Sequence, residues 1–418
     1  MRSLYTLLLY LLTPMVLLRL AWRGLELRDY WYRWNERFGF VTAAREPVAV
    51  WVHAVSVGES LAAMPLIHAL IDRHGERRVL VTTTTPTGSA RVRAQLGQRV
   101  LHSYAPYDLP DVVARFLARM RPQQVVVMET ELWPNLFHAL AQRGVPLTIA
   151  NARLSPRSFR GYSRVRGFAA ATLADCTRIA AQSEADAQRF RSLGALRVGV
   201  MGNIKFDMAV PEAQLQLGRQ LRAALGAQRP TWIAASTHEG EEEAAIDAHR
   251  HLLQMYPDAL LILVPRHPQR FDSVARMVEK IGLSLQRRSA LTLDATPVDA
   301  PQLLLGDSMG EMFAYFAAAE VAFVGGSLVP VGGHNVLEPA ALGLPVLFGP
   351  QMHNFMAARD LLLEAQAALQ VADAAGLAAQ LAALLGDPAR RTTMGAAGRA
   401  AVAANRGALQ RLLALLDA

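Results

Sequence analysis

Short apolar runs, each bounded by glycine, proline or polar residues, punctuate this chain at a spacing that suits neither hairpins nor one long helix. The runs at 48–54 (VAVWVHA), 79–83, 124–128 (QVVVM), 146–150 and 178–182 read as buried strands, with helical stretches between them. A strand covered on both faces is apolar throughout rather than alternating. A helix between two such strands is the crossover of a parallel βαβ unit. After the first run, the loop SVGES at 56–60 leads into a helix rich in leucine, alanine and isoleucine, where Pro65 is expected in the first turn or at a small kink. The pattern then restarts at 231–235 (TWIAA), 259–264 (ALLILV), 303–305, 321–324 and 345–348. No short-period repeat intervenes, so a solenoid is excluded. The fold class is therefore α/β: two doubly wound parallel-sheet domains facing a cleft, with ligand loops at the carboxyl ends of the strands. The helix QLQLGRQLRAALG ends in Ala-Gln-Arg-Pro near 214–230 and marks the divide. Expected limits are 1–24 for an N-terminal segment, 25–213 for the first domain, and 214–418 for the second domain with its C-terminal helices.

The N-terminal segment bears on the compartment. Leu4 to Leu18 is an apolar run of fifteen residues interrupted by Thr6, Thr13 and Pro14. That is short for a spanning helix, which needs about 20 residues. A cleaved signal peptide would end in small residues, yet this run meets Arg19, Leu20, Ala21, Trp22 and Arg23, with Tyr30, Trp31, Tyr32 and Trp34 beyond. Arginine and aromatic residues at this spacing suit an uncleaved anchor lying at, or just entering, the headgroup region. Arg19, Arg23 and Arg28 after the run place the body of the protein in the cytoplasm by the positive-inside rule. An amphipathic core helix is the alternative.

Composition narrows the partners. The 418 residues carry a formal charge of +8, and 52% are hydrophobic, which excludes a disordered chain and gives each half enough apolar residues for a core. Cys176 stands alone, so no internal disulfide can form. A basic balance fits nucleic acid, an anionic membrane or an acidic substrate. No RNP, KH or helix-turn-helix signature is present, so a nucleic-acid partner is not expected. Lys205 and Lys280 are the only lysines, in a chain that otherwise uses arginine.

Polar loops follow the strands. HAVSVGES (53–60) places Gly58 and Glu59 at a strand-to-helix turn; Glu59 is either a base for an acceptor hydroxyl or a complement to the helix dipole. METELWPNL (128–136) carries Glu129 and Glu131 around one threonine, both pointing the same way if the segment is extended. NARLSPRSFRGYSRVR (151–166) holds five arginines and no acid, as a phosphate-binding run or a solvated basic face. In the second half, ASTHEGEEE (235–243), VPRHPQRF (264–271), LGDSMGEM (305–312) and GGSLVPVGGHNVLEPAALGLPVLFGP (325–350) follow in turn. The last is glycine-rich at a helix start, a pattern that cradles nucleotide phosphate, and Glu338 can take ribose hydroxyls. His267, His334 and His353 lack partners at ligand intervals, so no metal site is expected.

From the N-terminal segment to about Phe355, this series of motifs resembles the 3-deoxy-D-manno-octulosonic acid (Kdo) transferases of Gram-negative lipopolysaccharide synthesis. HAVSVGES, YAPYD, ETELWPN, NARLS, QSE, GNIKFD, ASTHEGEE, PRHP, GDSMGE and GGHNVLEP carry the likeness. The resemblance implies a GT-B glycosyltransferase fold, CMP-Kdo as donor, and the lipid A precursor lipid IVA as acceptor. It implies that Glu59 is the acceptor base, and that Glu129 and Lys205 support the transition state. Pro265, Arg266, Met309, Gly310, Glu311, Asn335 and Glu338 would hold CMP, with no metal and no cofactor. The expected location is the cytoplasmic face of the inner membrane, against its anionic surface. A UDP-sugar transferase or epimerase of the same fold is the competing enzyme reading.

Overall fold

The computed structural model describes residues 1–208, 210–293 and 300–417. It divides into two compact units, one of residues 1–207 with 406–418 and one of residues 208–405. The first sheet contains β1 (Val50–His53), β2 (Val79–Thr83), β3 (Leu101–Tyr104), β4 (Gln124–Met128), β5 (Leu147–Ala152), β6 (Arg178–Ala181) and β7 (Val198–Val200). The second contains β8 (Thr231–Thr237), β9 (Leu260–Pro265), β10 (Leu285–Arg287), β11 (Leu303–Leu305), β12 (Val321–Val324), β13 (Val346–Phe348) and β14 (Ala368–Gln370).

The orders are β3-β2-β1-β4-β5-β6-β7 and β10-β11-β9-β8-β12-β13-β14. All pairings are parallel, with Val50 opposite both Val79 and Gln124, and Ile233 opposite both Ile262 and Ala322. In each sheet the chain reverses its winding beside the first strand, at β1/β4 and at β8/β12. Those are the switch points where doubly wound sheets leave a crevice for ligands.

Alternate residues of one strand feed two cores. Trp51 packs with Phe116, Phe137 and Ile149 on one face of the first sheet, while Val50 and Val52 join Leu66, Ile67 and Val126 on the other. Trp232 and Ala234 of β8 face one way and Ile233 and Ala235 the other. Period-two alternation with both faces apolar is why these strands read as continuous hydrophobic runs.

Three expectations change. The helix containing Pro65 is Val57–His74, so Pro65 lies in its interior rather than its first turn. The helix Glu212–Leu225 opens the second unit, packing Gly218 against Ala314 and Ala317, which moves the divide upstream from 214–230 to 207/208. The last helix, Ala408–Asp417, belongs to the first unit and not to the second. Ala408, Leu412 and Leu413 are buried among the residues beside β1 and β2, and Arg411 Nε donates to the Met201 carbonyl at 2.7 Å.

The N-terminal helix spans Arg2–Glu26, longer than its apolar run suggested, because Arg19 and Arg23 continue it rather than stop it. Residues Arg2–Leu25 have a mean hydropathy of 1.8, and the segment is long and apolar enough to cross a membrane. Leu4, Leu7, Leu8, Leu11, Met15 and Leu18 are exposed. Its other side is fastened to the first unit: Tyr5 Oη donates to Asp108 at 3.0 Å and Tyr10 Oη to Asp111 at 2.6 Å. Asp108, of the YAPYD motif, also accepts the backbone N–H groups of Asn135 and Leu136, which start the helix Pro134–Ala141. One buried carboxylate thus ties the N-terminal helix to the end of the ETELWPN turn.

Candidate active site

The sequence-predicted residues of the first unit gather at the β1/β4 switch point. Ser56 caps the helix Val57–His74, its Oγ accepting the Glu59 N–H at 3.2 Å. The Glu59 carboxylate reaches back, Oε2 accepting the Val55 N–H at 2.8 Å and Oε1 the Ser56 hydroxyl at 2.9 Å. The contacts are reciprocal, though the carboxylate takes the Val55 N–H rather than the N-cap N–H of a true capping box, and they order the side chain without using all its lone pairs. Burial pushes the Glu59 carboxyl up to about 7 against the pull of those two donors, and Glu129 and Glu131 add to the rise. The reading of Glu59 as a helix-start carboxylate is realised in these contacts.

Glu129 adopts φ 57° at the end of β4, an uncommon backbone for a non-glycine residue. The turn is consequently not extended, and the two glutamates part. Glu129 pairs with Lys205 Nζ at 3.7 Å, while Glu131 accepts Trp133 Nε1–H at 2.9 Å. Lys205 comes from the 3-10 turn Ile204–Phe206, whose start is held by Asn203 accepting the Lys205 N–H at 3.0 Å. Asn151, at φ 52°, accepts the Ile204 N–H, and Gln182 links Asn151 to Asn203. The NARLS, QSE and GNIKFD motifs thus form one scaffold that presents Lys205 to Glu129.

Beneath them His53 is buried, its Nδ1 2.8 Å from Thr82 Oγ1 and its ring edge-on to Trp133. Burial lowers its pKa to about 4, so it is neutral at physiological pH. In the 151–166 run, Arg157, Arg160, Arg164 and Arg166 are exposed around the helix Pro156–Ser163, and Phe159 and Tyr162 pack inward on the core. These four arginines make an exposed basic face, while Arg153 is half-buried.

In the second unit, Pro265 ends β9 and Arg266 follows it, exposed. Asn335 Nδ2 donates to Glu338 Oε1 at 3.0 Å. Burial raises the Glu338 carboxyl, opposed by that bond and by the nearby Arg266 guanidinium. Met309, Gly310 (φ 84°) and Glu311 follow the neighbouring strand β11, where Glu311 is paired with Arg288 at 3.0 Å and accepts from Ser308.

One expectation is corrected. The first glycine loop does not offer its N–H groups to a phosphate: Gly326, Ser327 and Leu328 donate to the buried Glu241 carboxylate at 2.6–2.9 Å. Arg270 is occupied too, forked onto the buried Glu242 at 3.0 and 3.1 Å. Neither carboxylate was singled out in the EGEEE run, because three successive acids at a helix start look like generic dipole complements. The sequence reading also missed that His238 and His334, from two separate motifs, meet at 2.8 Å. Among the described residues, no group of three His, Cys, Asp or Glu side chains is placed to hold a metal ion.

Comparison with known proteins bears on the family and the fold. A family model described as 3-deoxy-D-manno-octulosonic-acid transferase (kdotransferase) matches residues 32–208. The chain is 42% identical over 420 residues to the 3-deoxy-D-manno-octulosonic acid transferase of Haemophilus influenzae, covering 99% of this chain and 98% of that protein. It is 41% identical to the protein of the same name from Bordetella pertussis, with 100% and 99% covered. Among solved structures, the UDP-GlcNAc 2-epimerase of Neisseria meningitidis bound to UDP-GlcNAc aligns with a TM-score of 0.58 at 14% identity, covering 88% of this chain and 100% of that one. At that identity the likeness bears on the fold alone, which is GT-B.

Proposed function

The chain belongs to the 3-deoxy-D-manno-octulosonic acid transferase family, and from that premise we propose that it moves Kdo from CMP-Kdo onto lipid IVA by metal-independent, inverting transfer with Glu59 as base. The observation that carries this reading is the Glu59 carboxyl: buried, oriented by Val55 and Ser56, and pushed up to about 7. A base poised near neutral pH takes a proton without being locked in its charged form. As the acceptor hydroxyl attacks the anomeric carbon, its proton passes to Glu59, the new C–O bond forms, and the bond to the CMP phosphate breaks. Lys205, held by Glu129, supplies a compact positive charge near the reacting carbon, where a carboxylate-bearing sugar passes through an oxocarbenium-like state. Arg266, Asn335 and Glu338, with Pro265 and the 309–311 turn, form the CMP-binding set. The helix Arg2–Glu26 is the anchor, and Arg19, Arg23 and Arg28 after its apolar run favour the cytoplasmic face of the inner membrane.

The test incubates the purified protein with CMP-Kdo and lipid IVA and weighs the lipid product by mass spectrometry, with a chelator in a parallel reaction. Kdo addition that the chelator leaves intact and that Glu59→Gln abolishes, while the variant still binds CMP, is the expected result. Transfer from a UDP-sugar but not from CMP-Kdo would refute the donor; substantial turnover by Glu59→Gln would remove Glu59 from the base role.

A further inference from the structure

At the second switch point, two imidazoles form a unit to which the proposed function assigned no task. His238 follows β8 and His334 follows the glycine pair after β12. Their Nε2 atoms are 2.8 Å apart, the ring planes differ by 8°, and the centroids are 5.1 Å apart. A ring radius on each side of that N···N separation accounts for the centroid distance. The rings therefore lie edge to edge in one plane, joined by an N–H···N hydrogen bond. One ring is the Nε2–H tautomer and the other presents its lone pair.

The backbone is shaped to make this contact. Gly332 and Gly333, at φ 110° and 78°, both turn their N–H groups onto the Gly326 carbonyl, which folds the loop back and seats the His334 ring. A Cβ on Gly326 would come within 2.9 Å of that ring. The His238 N–H is anchored on Glu241 at 3.0 Å.

The charges around the pair are unbalanced. His267 stands edge-on to His238 with centroids 5.2 Å apart, Arg266 acts on both rings of the pair, and Arg270 acts on His238. Arg270 is spent on Glu242, and Glu241, the acid facing His238, has both oxygens filled by backbone donors. Among the described residues Arg266 has no salt bridge, though Glu338 feels its charge. Glu239 also pairs with Arg270, at 3.5 Å, yet among the charges that act on the two rings Glu241 is the one acid and the rest are cationic, at the crevice where a doubly wound sheet takes its ligand. A shared metal is a poor explanation of the pair. Two nitrogens on one tetrahedral zinc stand ~3.3 Å apart for Zn–N of about 2.0–2.1 Å, farther than observed.

We propose that the His238–His334 pair binds the phosphate of the donor nucleotide and takes up one proton from solvent as it does so. The proposal rests on the reading of this unit as the cytidine-nucleotide site. Adding one proton leaves the bond intact, because the imidazolium still donates Nε2–H to its neutral partner; a second proton would set two donors against each other. In the unliganded protein, burial and the surrounding cations hold His334 down at about 4 and lower His238, so the pair enters the reaction neutral. A phosphate placed against it reverses that field, and the arriving proton offsets the charge that the phosphate gains when the sugar leaves.

Calorimetric titration of the full-length protein in detergent with CMP and with cytidine, at pH 7.5 in two buffers of different ionisation enthalpy, tests this. The CMP phosphate, with a second pKa of about 6, is already almost fully ionised there. Expected are net proton uptake approaching one per CMP, none with cytidine, and loss of the uptake with a roughly tenfold weaker CMP affinity in His334→Gln and His238→Gln. Cytidine affinity should be unchanged. CMP binding with no proton uptake in the wild type overturns the proposal whether or not the variants fold. Equal uptake with cytidine overturns the phosphate assignment. Failure of the wild type to bind CMP at all defeats the donor reading itself.

Discussion

Glu59 caps its own helix and is proposed to accept a proton, and the two demands act on its pKa in opposite directions. The Val55 and Ser56 donors stabilise the carboxylate, while burial and the neighbouring glutamates destabilise it, with burial winning. As proposed base it works deprotonated, so kcat/KM is expected to fall about tenfold per pH unit below a limb near pH 7. Ser56→Ala removes a donor from the carboxylate and should move that limb upward, while loss of the N-cap costs about 1 kcal/mol in denaturation. An unmoved limb would mean that another group sets it. The linked stability has a definite sign. The folded pKa lies above the ordinary 4.5, so the fold prefers the protonated form; that stabilisation is complete below about 4.5 and is lost as pH rises through about 7. Glu59→Gln, inactive in transfer, should therefore be at least as stable as wild type at pH 8. Lys205 is the companion case. A guanidinium is a broad, planar fork, so Lys205→Arg should not reproduce a compact ammonium 3.7 Å from Glu129, and both it and Lys205→Ala should lose about a hundredfold in turnover. Near-normal rates in Lys205→Arg would show that charge alone suffices. The types and positions of these residues were legible in the sequence, whereas their partners were not, since the divergence of Glu129 from Glu131 depends on a positive φ that spacing does not encode.

At the scale of elements, interior strands declare themselves and edge strands do not. β2, β4, β11 and β12 match their apolar runs end to end. β3, β7, β10 and β14 were not anticipated: each lies at the rim of its sheet or beside it, has three or four residues, and is partly exposed. A strand with one neighbour needs no continuous hydrophobic run, so it lacks the signal that identifies the others. The glycine loop after β12 shows a second limit. Its composition suits a phosphate cradle, yet the donors are filled from within by a carboxylate 85 residues upstream of Gly326, at the start of the helix Glu241–Leu253. Glu241 accepts four backbone N–H groups, from His238, Gly326, Ser327 and Leu328. An amide at this position has one accepting oxygen and turns an NH2 toward donors. Glu241→Gln is accordingly expected to orphan at least one buried N–H and to destabilise the second unit by about 2–3 kcal/mol in urea denaturation, with weaker CMP binding as the His334 seat loosens. Unchanged stability would mean that the loop has other partners available.

The whole molecule is not a simple succession of two domains, because the chain leaves the first unit at 207/208 and returns to it at 405/406. In the alanine- and leucine-rich C-terminal region, Asn405 and Gly407 (φ 91°) mark a break between the helix Pro388–Ala404 and the helix Ala408–Asp417, but nothing in their composition assigns the two helices to different units. The signal lies in Asp207, at the end of GNIKFD, whose carboxylate accepts the Gly407 and Leu409 N–H groups and so caps a helix 200 residues downstream. Arg178 donates to the Leu415 carbonyl, and Gln124 Nε2 to that of Leu416 at 3.1 Å, fastening the same helix across the starts of β4 and β6. Leu412 and Leu413 are buried, and burying two leucines contributes about 3–6 kcal/mol. That is a large share of the 5–15 kcal/mol by which domains of this size are stable. Removal of residues 406–418 should therefore leave the first unit, which carries Glu59, Glu129 and Lys205, aggregated or open to protease, while the second unit stays folded and still binds CMP. Leu412→Asp should reproduce the defect in the full-length chain. Limited proteolysis with mass mapping separates the outcomes. Cleavage confined to the first unit is expected, and a truncated protein whose first unit resists protease as the wild type does would show that the returning helix is dispensable to that core.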